Sequence, residues 1–145
     1  MPIEVRVLGP ADADLLTSRV ADGVFDDAVE PKLAEEFLND PRHALCVAID
    51  DGVVVGMASG VRYVHPDKPS ELWINEVGVA PSHQRRGLAK AILAELLAHA
   101  RREGCRGAWV QADLDNAAAR ALYRSAGGEE TLGILMVSFP LGGQP

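Results

Sequence analysis

Residues 75–90 read NEVGVAPSHQRRGLAK, and the fold follows from the two elements that this stretch joins. It begins inside an apolar run from Leu72 to Ala80, which predicts a β-strand. It ends where apolar residues start to recur at helical spacing, which predicts a helix over Gly87 to Glu103. Gly104 stands where such a helix ends. The apolar face of this helix comprises Leu88, Ala91, Ile92, Leu96 and Ala100.

The turn between this strand and this helix is basic. Residues 77–94 contain no acidic side chain, whereas Arg85, Arg86 and Lys90 all fall there. The first backbone N–H groups of a helix have no partner within it and lie at the positive end of its dipole. A diphosphate fits such a place if no side chain blocks its approach, and Gly87 has no Cβ. The sequence therefore predicts a bound anion at this turn.

The rest of the chain is made of short predicted elements. Further strands are predicted over residues 3–8, 44–49, 53–64, 108–114 and 134–139. Helices are predicted after Asp12 or Asp14, after Pro31, and over residues 116–126. The inward-facing residues of the first two helices are predicted to be Leu15, Leu16, Val20 and Val24, then Leu33, Phe37 and Leu38. This order predicts an α/β (α+β) fold with a mixed, mostly antiparallel twisted sheet and helices on both faces.

Length and composition fit one globular domain. The chain has 145 residues, of which 48% are hydrophobic and 24% charged. We expect a single domain over residues 1–141 and a short tail over residues 142–145. No apolar run is long enough for a membrane span, and the first residues lack the pattern of a signal peptide. Cys46 and Cys105 stand far apart, with no His at ligand spacing, so we expect two buried thiols in a cytoplasmic protein and no metal site.

The negative charge is concentrated in the first half of the chain. The net charge of −7 argues against nucleic acid as a partner. Residues 1–70 contain 13 acidic and 6 basic side chains, whereas residues 71–145 contain 8 of each. Two interpretations remain open: solvated helix faces, or a negative field that attracts a cationic substrate.

Two motifs resemble those of the GNAT superfamily of N-acetyltransferases. Gln84-Arg85-Arg86-Gly87-Leu88-Ala89 is similar to the superfamily's pyrophosphate loop, Gln/Arg-x-x-Gly-x-Gly/Ala. NAAARALY, residues 116–123, is similar to its Asn-x-x-Ala-x-x-Leu-Tyr helix. The resemblance covers residues 72–128. It implies the GNAT fold and an enzyme that transfers an acetyl group from acetyl-CoA to an amine.

The resemblance also implies a role for each residue around the basic turn. The backbone of Val77 and Val79 would pair with the pantetheine arm like an added strand, and one of their N–H groups would point at the thioester oxygen. The amides of residues 85–90 would hold the pyrophosphate, helped by the side chains of Arg85 and Lys90. The implied cofactor-binding set comprises Val77, Gly78, Val79, Gln84, Arg85, Arg86, Gly87, Leu88, Ala89, Lys90 and Asn116.

Three side chains are candidates for the acid–base chemistry. An aliphatic amine with a pKa of about 10.4 costs roughly 4.6 kcal/mol to deprotonate at pH 7, so a base is useful. Glu76 is the first candidate, because a carboxylate in an apolar strand is costly unless it has a partner or a role, and burial would raise its pKa. Its alternatives are a salt bridge to a neighbouring arginine or an outward-facing position. Asp113 is the second candidate, with helix capping as its alternative role. Tyr123 would donate a proton to the departing thiolate, or be a packed core aromatic.

Shorter similarities concern the acceptor. DGVVVG (residues 51–56) and WVQAD (residues 109–113) resemble the aminoglycoside 3-N-acetyltransferase branch. The sequence departs from that branch by placing Glu76 where it would carry Asp. It also places Gly128 where most GNAT enzymes have an aromatic residue, and leaves little room for a separate sixth strand. These departures bear on the acceptor more than on the cofactor.

Three functions remain open at this point. The first is acetylation of a small cationic amine with aminoglycoside-like chemistry, which the acidic first half of the chain favours. The second is acetylation of a protein N-terminus or lysine, and the third is a sensor that binds acetyl-CoA without turnover. A homodimer is a further possibility for such a fold, and neither a nucleic acid nor a membrane is expected as a partner.

Overall fold

The computed structural model describes residues 2–143; Met1 of the predicted domain and Gln144 and Pro145 of the predicted tail lie outside the described residues. The strands are β1 (Glu4–Val7), β2 (His43–Asp50), β3 (Val53–Tyr63), β4 (Glu71–Val79) and β5 (Ala108–Val110). The α-helices are α1 (Ala13–Ser18), α2 (Pro31–Asn39), α3 (Leu88–Arg102) and α4 (Ala117–Ser125). One-turn 3-10 helices precede α1 and α3, at Pro10–Asp12 and Pro81–His83.

The strands form one open sheet in the order β1-β2-β3-β4-β5. All neighbours are antiparallel except β4 and β5, which are parallel and are joined through α3. β2 and β3 are almost continuously apolar and are buried along most of their length, because both lie inside the sheet. The predicted fold class, a mixed and mostly antiparallel sheet with flanking helices, is confirmed.

The two faces of the sheet carry different elements. α3 covers one face, where a Cβ added to Gly56 would lie only 2.8 Å from Ile92 Cδ1. The buried residues of α3 on this side are Leu88, Ile92, Leu93, Leu96 and Ala100, four of them predicted from the helical spacing. The connection between α1 and α2, residues 19–30, lies on the opposite face, where a Cβ at Gly78 would collide with the Val24 carbonyl oxygen. Gly78 therefore permits this close approach.

One extra residue in β4 changes which side chains face α3. Ser59 pairs with Glu76 and Gly60 pairs with Ile74, so Asn75 is unmatched and forms a bulge. Before the bulge Leu72 and Ile74 face α3 and are buried. After the bulge the even-numbered and odd-numbered residues exchange faces. Glu76 and Gly78 therefore face away from α3, whereas Val77 and Val79 face towards it.

The first two helices differ from the predicted pattern. α1 ends at Ser18, so Val20 and Val24 lie beyond it rather than on its face. Val20 forms an isolated bridge with Val54, and Val24 is buried within the connecting loop. In α2 Leu33 is 60% exposed, and Ala34 is buried in its place beside Leu38. The helical spacing alone did not fix where α1 ends or the rotation of α2.

The end of the chain also departs from the sequence prediction. β5 spans only Ala108–Val110, shorter than the predicted 108–114. The strand predicted over residues 134–139 is absent, and residues 129–143 carry no regular element. These residues are exposed, because no other described part of the chain lies over them.

Candidate active site

β4 continues past the end of β5, and we call the open edge that this leaves the cleft. The two strands pair only from Leu72–Ala108 to Ile74–Val110, after which β5 ends while β4 continues to Val79. The bulge at Asn75 lies at the point of separation. Residues 76–79 therefore have a strand partner on the β3 side only.

The backbone of Val77 and Val79 faces this cleft. The Ala80 N–H donates to the Val55 carbonyl at 2.8 Å, so these two residues form a hydrogen-bonded pair. Such pairs alternate along an antiparallel ladder, so the polar backbone groups of Val77 and Val79 point away from β3. Two edge N–H groups and the Val77 carbonyl are thus available to an extended ligand, the arrangement expected for a pantetheine arm, whereas the Val79 carbonyl accepts from Gln84.

The turn that follows β4 has an unusual backbone. Gly87 precedes the first residue of α3 with φ +75°, a left-handed conformation that glycine adopts without strain. Arg85 is also left-handed, with φ +64°, which is uncommon for a residue with a side chain. A Cβ at Gly87 would meet nothing within 4 Å, so the space beside this glycine is open.

The amides of this turn are free to bind an anion. Within residues 2–143, none of the backbone N–H groups of residues 85–90 donates a hydrogen bond to another residue. The first intrahelical bond of α3 runs from the Ala91 N–H to the Gly87 carbonyl. The side chains of Arg85, Arg86 and Lys90 are exposed and form no ion pair with a described residue. Unpaired amides at a helix N-terminus with uncompensated cations around them suit a diphosphate.

Three side chains before the turn fix its position. Gln84 Nε2 donates to the Val79 carbonyl at 3.1 Å and so ties the turn to the end of β4. His83 Nε2 lies 2.7 Å from Asp50 Oδ2 at the end of β2, and His83 Nδ1 lies 2.7 Å from Ser82 Oγ. The His83 side chain is only 15% exposed. His83 positions the turn through a contact with a residue 33 positions away in the sequence, so no local sequence pattern could have predicted this role.

Glu76 lies on the sheet face opposite to α3. The bulge at Asn75 turns it away from the apolar core, and its side chain is exposed. The expectation that Glu76 is buried is therefore wrong. An exposed carboxylate beside the cleft is reachable by an amine or by a water molecule that approaches from this face.

Asp113 and Asn116 lie in the connection from β5 to α4. Asp113 is exposed, and its backbone carbonyl accepts from the Asn116 N–H at 3.0 Å. Asn116 caps α4, because its Oδ1 accepts from the Ala119 N–H at 3.1 Å. The side-chain nitrogen of Asn116, Nδ2, has no partner among the described residues and can donate to another acceptor.

Tyr123 lies on α4 and packs partly against the core. Burial raises the pKa of its phenol above the ordinary value, so it stays protonated at neutral pH. The Gly128 N–H donates to the Tyr123 carbonyl at 2.9 Å, and a Cβ at Gly128 would also lie 2.9 Å from that oxygen. This close approach favours glycine at position 128.

Three aromatic rings lie together where β4 and β5 are still paired. Trp73 and Trp109 stack, with centroids 5.8 Å apart and an interplanar angle of 25°. Tyr63 meets Trp109 edge to face, and its hydroxyl accepts from the indole N–H of Trp109. Trp73 lies on the face of the sheet opposite to α3, as Glu76 does, and Trp109 remains 42% exposed. These rings offer an apolar and quadrupolar surface close to the apex of the cleft.

The connection between α1 and α2 adds negative charge on the same face. Asp22, Asp26, Asp27 and Glu30 are all exposed, and none forms an ion pair with another residue of the described range. Gly23 packs against Pro81, where a Cβ would lie 2.8 Å from the proline Cδ. This acidic loop (residues 22–30) thus borders β4 and the start of the basic turn.

Neither a metal-binding cluster nor a membrane-spanning helix is found in the described range. Residues 2–143 contain no group of three or more His, Cys, Asp or Glu side chains arranged to hold a metal ion. None of the helices in that range is long and apolar enough to span a bilayer.

Comparisons with known proteins agree with this geometry. A family model described as Acetyltransferase (GNAT) family matches residues 14–127. N-alpha-acetyltransferase RimI of Mycobacterium tuberculosis is 33% identical over 127 residues, 87% of this chain and 78% of the relative. Aminoglycoside N(6')-acetyltransferase type 1 of Salmonella typhimurium is 30% identical over 101 residues, 67% of this chain and 70% of the relative.

A solved structure shows the same fold. Aminoglycoside N-acetyltransferase AAC(6')-Iy in complex with CoA superposes with a TM-score of 0.74 at 24% identity, over 95% of each chain. The family match spans the cleft, the basic turn and α4. The chain therefore belongs to the GNAT acetyltransferase family and is an acetyl-CoA-dependent N-acetyltransferase.

Proposed function

We propose that this enzyme acetylates a primary amine of a small cationic acceptor with aminoglycoside-like chemistry. The observation that carries the proposal is the acidic loop. Its four carboxylates, Asp22, Asp26, Asp27 and Glu30, have no ion-pair partner among the described residues and lie on the face of the sheet that Glu76 occupies. Uncompensated carboxylates around a cleft raise the local concentration of a polycation and speed its encounter.

The aromatic surface supports the same class of acceptor. Trp73 and Trp109 expose a stacked pair of rings on the face that Glu76 shares. An ammonium group over an indole face gains about 0.5–2 kcal/mol, and the apolar face of a sugar ring packs on the same surface. Carboxylates and aromatic rings together favour a ring-shaped polyamine over an anionic or purely apolar acceptor.

The donor would bind along the cleft and the basic turn. The diphosphate of acetyl-CoA would be held by the amides of residues 85–90 and the side chains of Arg85 and Lys90. The pantetheine arm would pair with Val77 and Val79, and Asn116 Nδ2 would reach it from the other side. The N–H of Val77 or Val79 would stabilise the oxyanion that forms when the amine attacks the thioester.

Proton transfers complete the reaction. Glu76, directly or through a water molecule, would take a proton from the acceptor's ammonium group, which costs roughly 4.6 kcal/mol to remove in free solution at pH 7. The neutral amine that results would then attack the thioester carbon. Asp113 is the alternative base. Tyr123 would give its proton to the CoA thiolate as the C–S bond breaks. A thiol with a pKa near 8.5 leaves readily, so this assistance is small.

A protein or peptide N-terminus is the second candidate acceptor. It is favoured by the similarity to RimI, a relative named as an N-alpha-acetyltransferase. The open face around Glu76 would admit an extended peptide. A binding protein without turnover is the third candidate; the exposed Glu76 and the protonated Tyr123 argue against it.

Thiol release from acetyl-CoA, measured against matched acceptors, distinguishes these functions. We expect the largest kcat/KM with aminoglycosides, a smaller value with spermidine, and the smallest with peptides that have a free N-terminal amine. The aminoglycoside acetyltransferases named above are designated 6' enzymes, whereas the short motifs resemble the 3-N branch, so the acetylated nitrogen should be located by NMR of the product. A peptide preference would reject the small cationic acceptor, and tight CoA binding with no thiol release would indicate a sensor.

A further inference from the structure

Tyr63 lies on the same face of the sheet as Trp73 and Glu76. It follows Val61, the register partner of Trp73, by two residues on β3. Ser59, the register partner of Glu76, precedes Val61 by two residues. Residues two apart on a strand share a face and lie roughly 7 Å from each other. Glu76, Trp73 and Tyr63 therefore mark three successive levels on one face, and this face extends well beyond the proposed base.

The Tyr63 hydroxyl has a fixed position. It accepts a hydrogen bond from the indole N–H of Trp109 on β5, and this bond crosses β4, which lies between β3 and β5. His65 meets the Tyr63 ring edge to face, with centroids 5.2 Å apart and an interplanar angle of 76°. His65 is itself held by Glu71, whose Oε2 lies 3.0 Å from His65 Nε2. A polar group fixed in this way is ordered before any ligand binds.

The hydrogen of the Tyr63 hydroxyl is available to a ligand. A phenol has one O–H to donate, and the bond from Trp109 uses only its oxygen. Within residues 2–143 the Tyr63 O–H donates to no other group. The contact with Trp109 is exposed to solvent, so a molecule on this face can reach the hydroxyl. Accepting a bond from the indole also polarises the O–H and strengthens it as a donor.

The charged groups beside Tyr63 already have partners. Glu71 Oε2 lies 3.3 Å from Arg106 Nη2 as well as 3.0 Å from His65 Nε2. The acidic loop lies at the other end of β4, where Val24 packs against Gly78. This end of the face therefore offers a neutral donor beside aromatic rings, which suits a neutral oxygen atom better than a second ammonium group.

We propose that the Tyr63 hydroxyl determines acceptor specificity by donating a hydrogen bond to an oxygen atom of an amino sugar. This inference rests on the proposed function, and it narrows the acceptor from small cationic amines to oxygen-bearing ones. The amine stands at Glu76, the apolar face of the sugar packs on Trp73 and Trp109, and a sugar oxygen accepts from Tyr63. A protonated alkyl polyamine has only N–H donors, so none of its atoms can accept from the phenol.

Kinetics of Tyr63→Phe with two acceptors test this role. The variant keeps the aromatic ring and loses only the hydroxyl. The kcat/KM for an aminoglycoside should fall roughly 3- to 10-fold, the value of one neutral hydrogen bond. The kcat/KM for spermidine should change by less than about twofold, because spermidine makes no such bond. Val64→Thr, at an adjacent position that is 60% exposed, is the matched control and should change neither value.

Analogues of the same aminoglycoside, each lacking one oxygen atom, identify the oxygen that Tyr63 contacts. With the wild type, one analogue should show the same loss in kcat/KM, roughly 3- to 10-fold, because the phenol is left without its acceptor. With Tyr63→Phe, that analogue and the parent compound should react equally well. The bond is then already absent, so the two changes are not additive.

The outcomes separate this inference from the proposed function. If Tyr63→Phe leaves aminoglycoside turnover unchanged, or lowers it no more than spermidine turnover, the role of Tyr63 is rejected and the proposed function stands. The same conclusion follows if no analogue shows the non-additive effect. If the wild type acetylates peptides but no aminoglycoside, the proposed function and this inference are rejected together.

Discussion

His83 Nε2 lies 2.7 Å from Asp50 Oδ2 and joins the basic turn to the end of β2. The two side chains are 15% and 29% exposed, so this contact is partly shielded from water. Together with the bond from Gln84 to the Val79 carbonyl, it holds the amides of residues 85–90 in place before a ligand arrives. A site that is ordered in advance loses less free energy on binding.

The first prediction concerns this positioning contact. Asp50→Ala should raise the KM for acetyl-CoA roughly three- to tenfold, equivalent to about 0.7–1.4 kcal/mol for one net hydrogen bond, and leave kcat unchanged. Asp51→Asn, which removes the adjacent charge without breaking the contact, serves as the control. A fall in kcat at saturating acetyl-CoA would show that Asp50 acts on the chemical step instead.

The second prediction separates strain from ligand contact at Gly87. Gly87 and Gly104 flank α3 with φ +75° and +82°, and neither has an atom within 4 Å of an added Cβ. Alanine at either position should destabilise the fold by about 1–2 kcal/mol, since both must remain left-handed. Only Gly87→Ala should raise the KM for acetyl-CoA, by roughly tenfold or about 1.4 kcal/mol. Urea unfolding measures the loss of stability, and initial rates measure the KM for acetyl-CoA. Equal KM values for the two variants would show that the diphosphate does not bind at this turn.

The third prediction concerns the base. Glu76→Gln should lower kcat/KM for the amine by about 10²–10⁴ at pH 7. The deficit should shrink as pH approaches about 10, because the free amine then needs no base. Asp113→Asn should change the rate by less than about threefold if Glu76 is the base. The opposite order of the two effects would assign the role to Asp113.

The fourth prediction concerns Tyr123. Tyr123→Phe should lower kcat by no more than about 10², since the thiolate leaves readily without an acid. Burial raises the pKa of this phenol in the folded state, so the folded chain keeps a proton that the unfolded chain loses above about pH 10. Stability should therefore fall as pH rises through the raised pKa. In thermal melts between pH 9 and 11, the melting temperature of the Phe variant should fall less steeply with pH than that of the wild type. Identical slopes for the two proteins would contradict the burial of the Tyr123 phenol.

The fifth prediction concerns the acidic loop. Asp26→Asn with Asp27→Asn should raise the KM for an aminoglycoside, and the increase should vanish at about 1 M salt, where the screening length is near 3 Å. Glu103→Gln removes an exposed carboxylate at the far end of α3 and is the control. A salt-independent effect would point to a direct contact rather than a field.

The sequence predicted the parts of the fold whose signals are local. β2, β3, β4 and α3 follow from apolar runs, a turn containing Gly52 and regular helical spacing. Gly87 and Gly104 mark the two ends of α3 because their left-handed backbone has a direct sequence signature. For the same reason the position of the turn before α3, to which we assign diphosphate binding, could be predicted from the sequence.

Other features depend on contacts that no local pattern records. The bulge at Asn75 reverses the parity of β4, so the apolar neighbours of Glu76 in sequence are not its neighbours in space. Leu33 is exposed because the rotation of α2 is set by packing around Ala34 and Leu38. The strand predicted over residues 134–139 has the right composition but pairs with no strand among residues 2–143. Composition records the tendency to form a strand and not the presence of a neighbour to pair with.

Calorimetric titration of the pure, folded protein tests the central claim most directly. Acetyl-CoA should bind with one site per chain, whereas acetyl-pantetheine, which lacks the diphosphate, should bind at least roughly 100-fold more weakly, since it cannot engage the free amides at the start of α3. Equal affinity for the two compounds, or no binding of acetyl-CoA, would contradict the account.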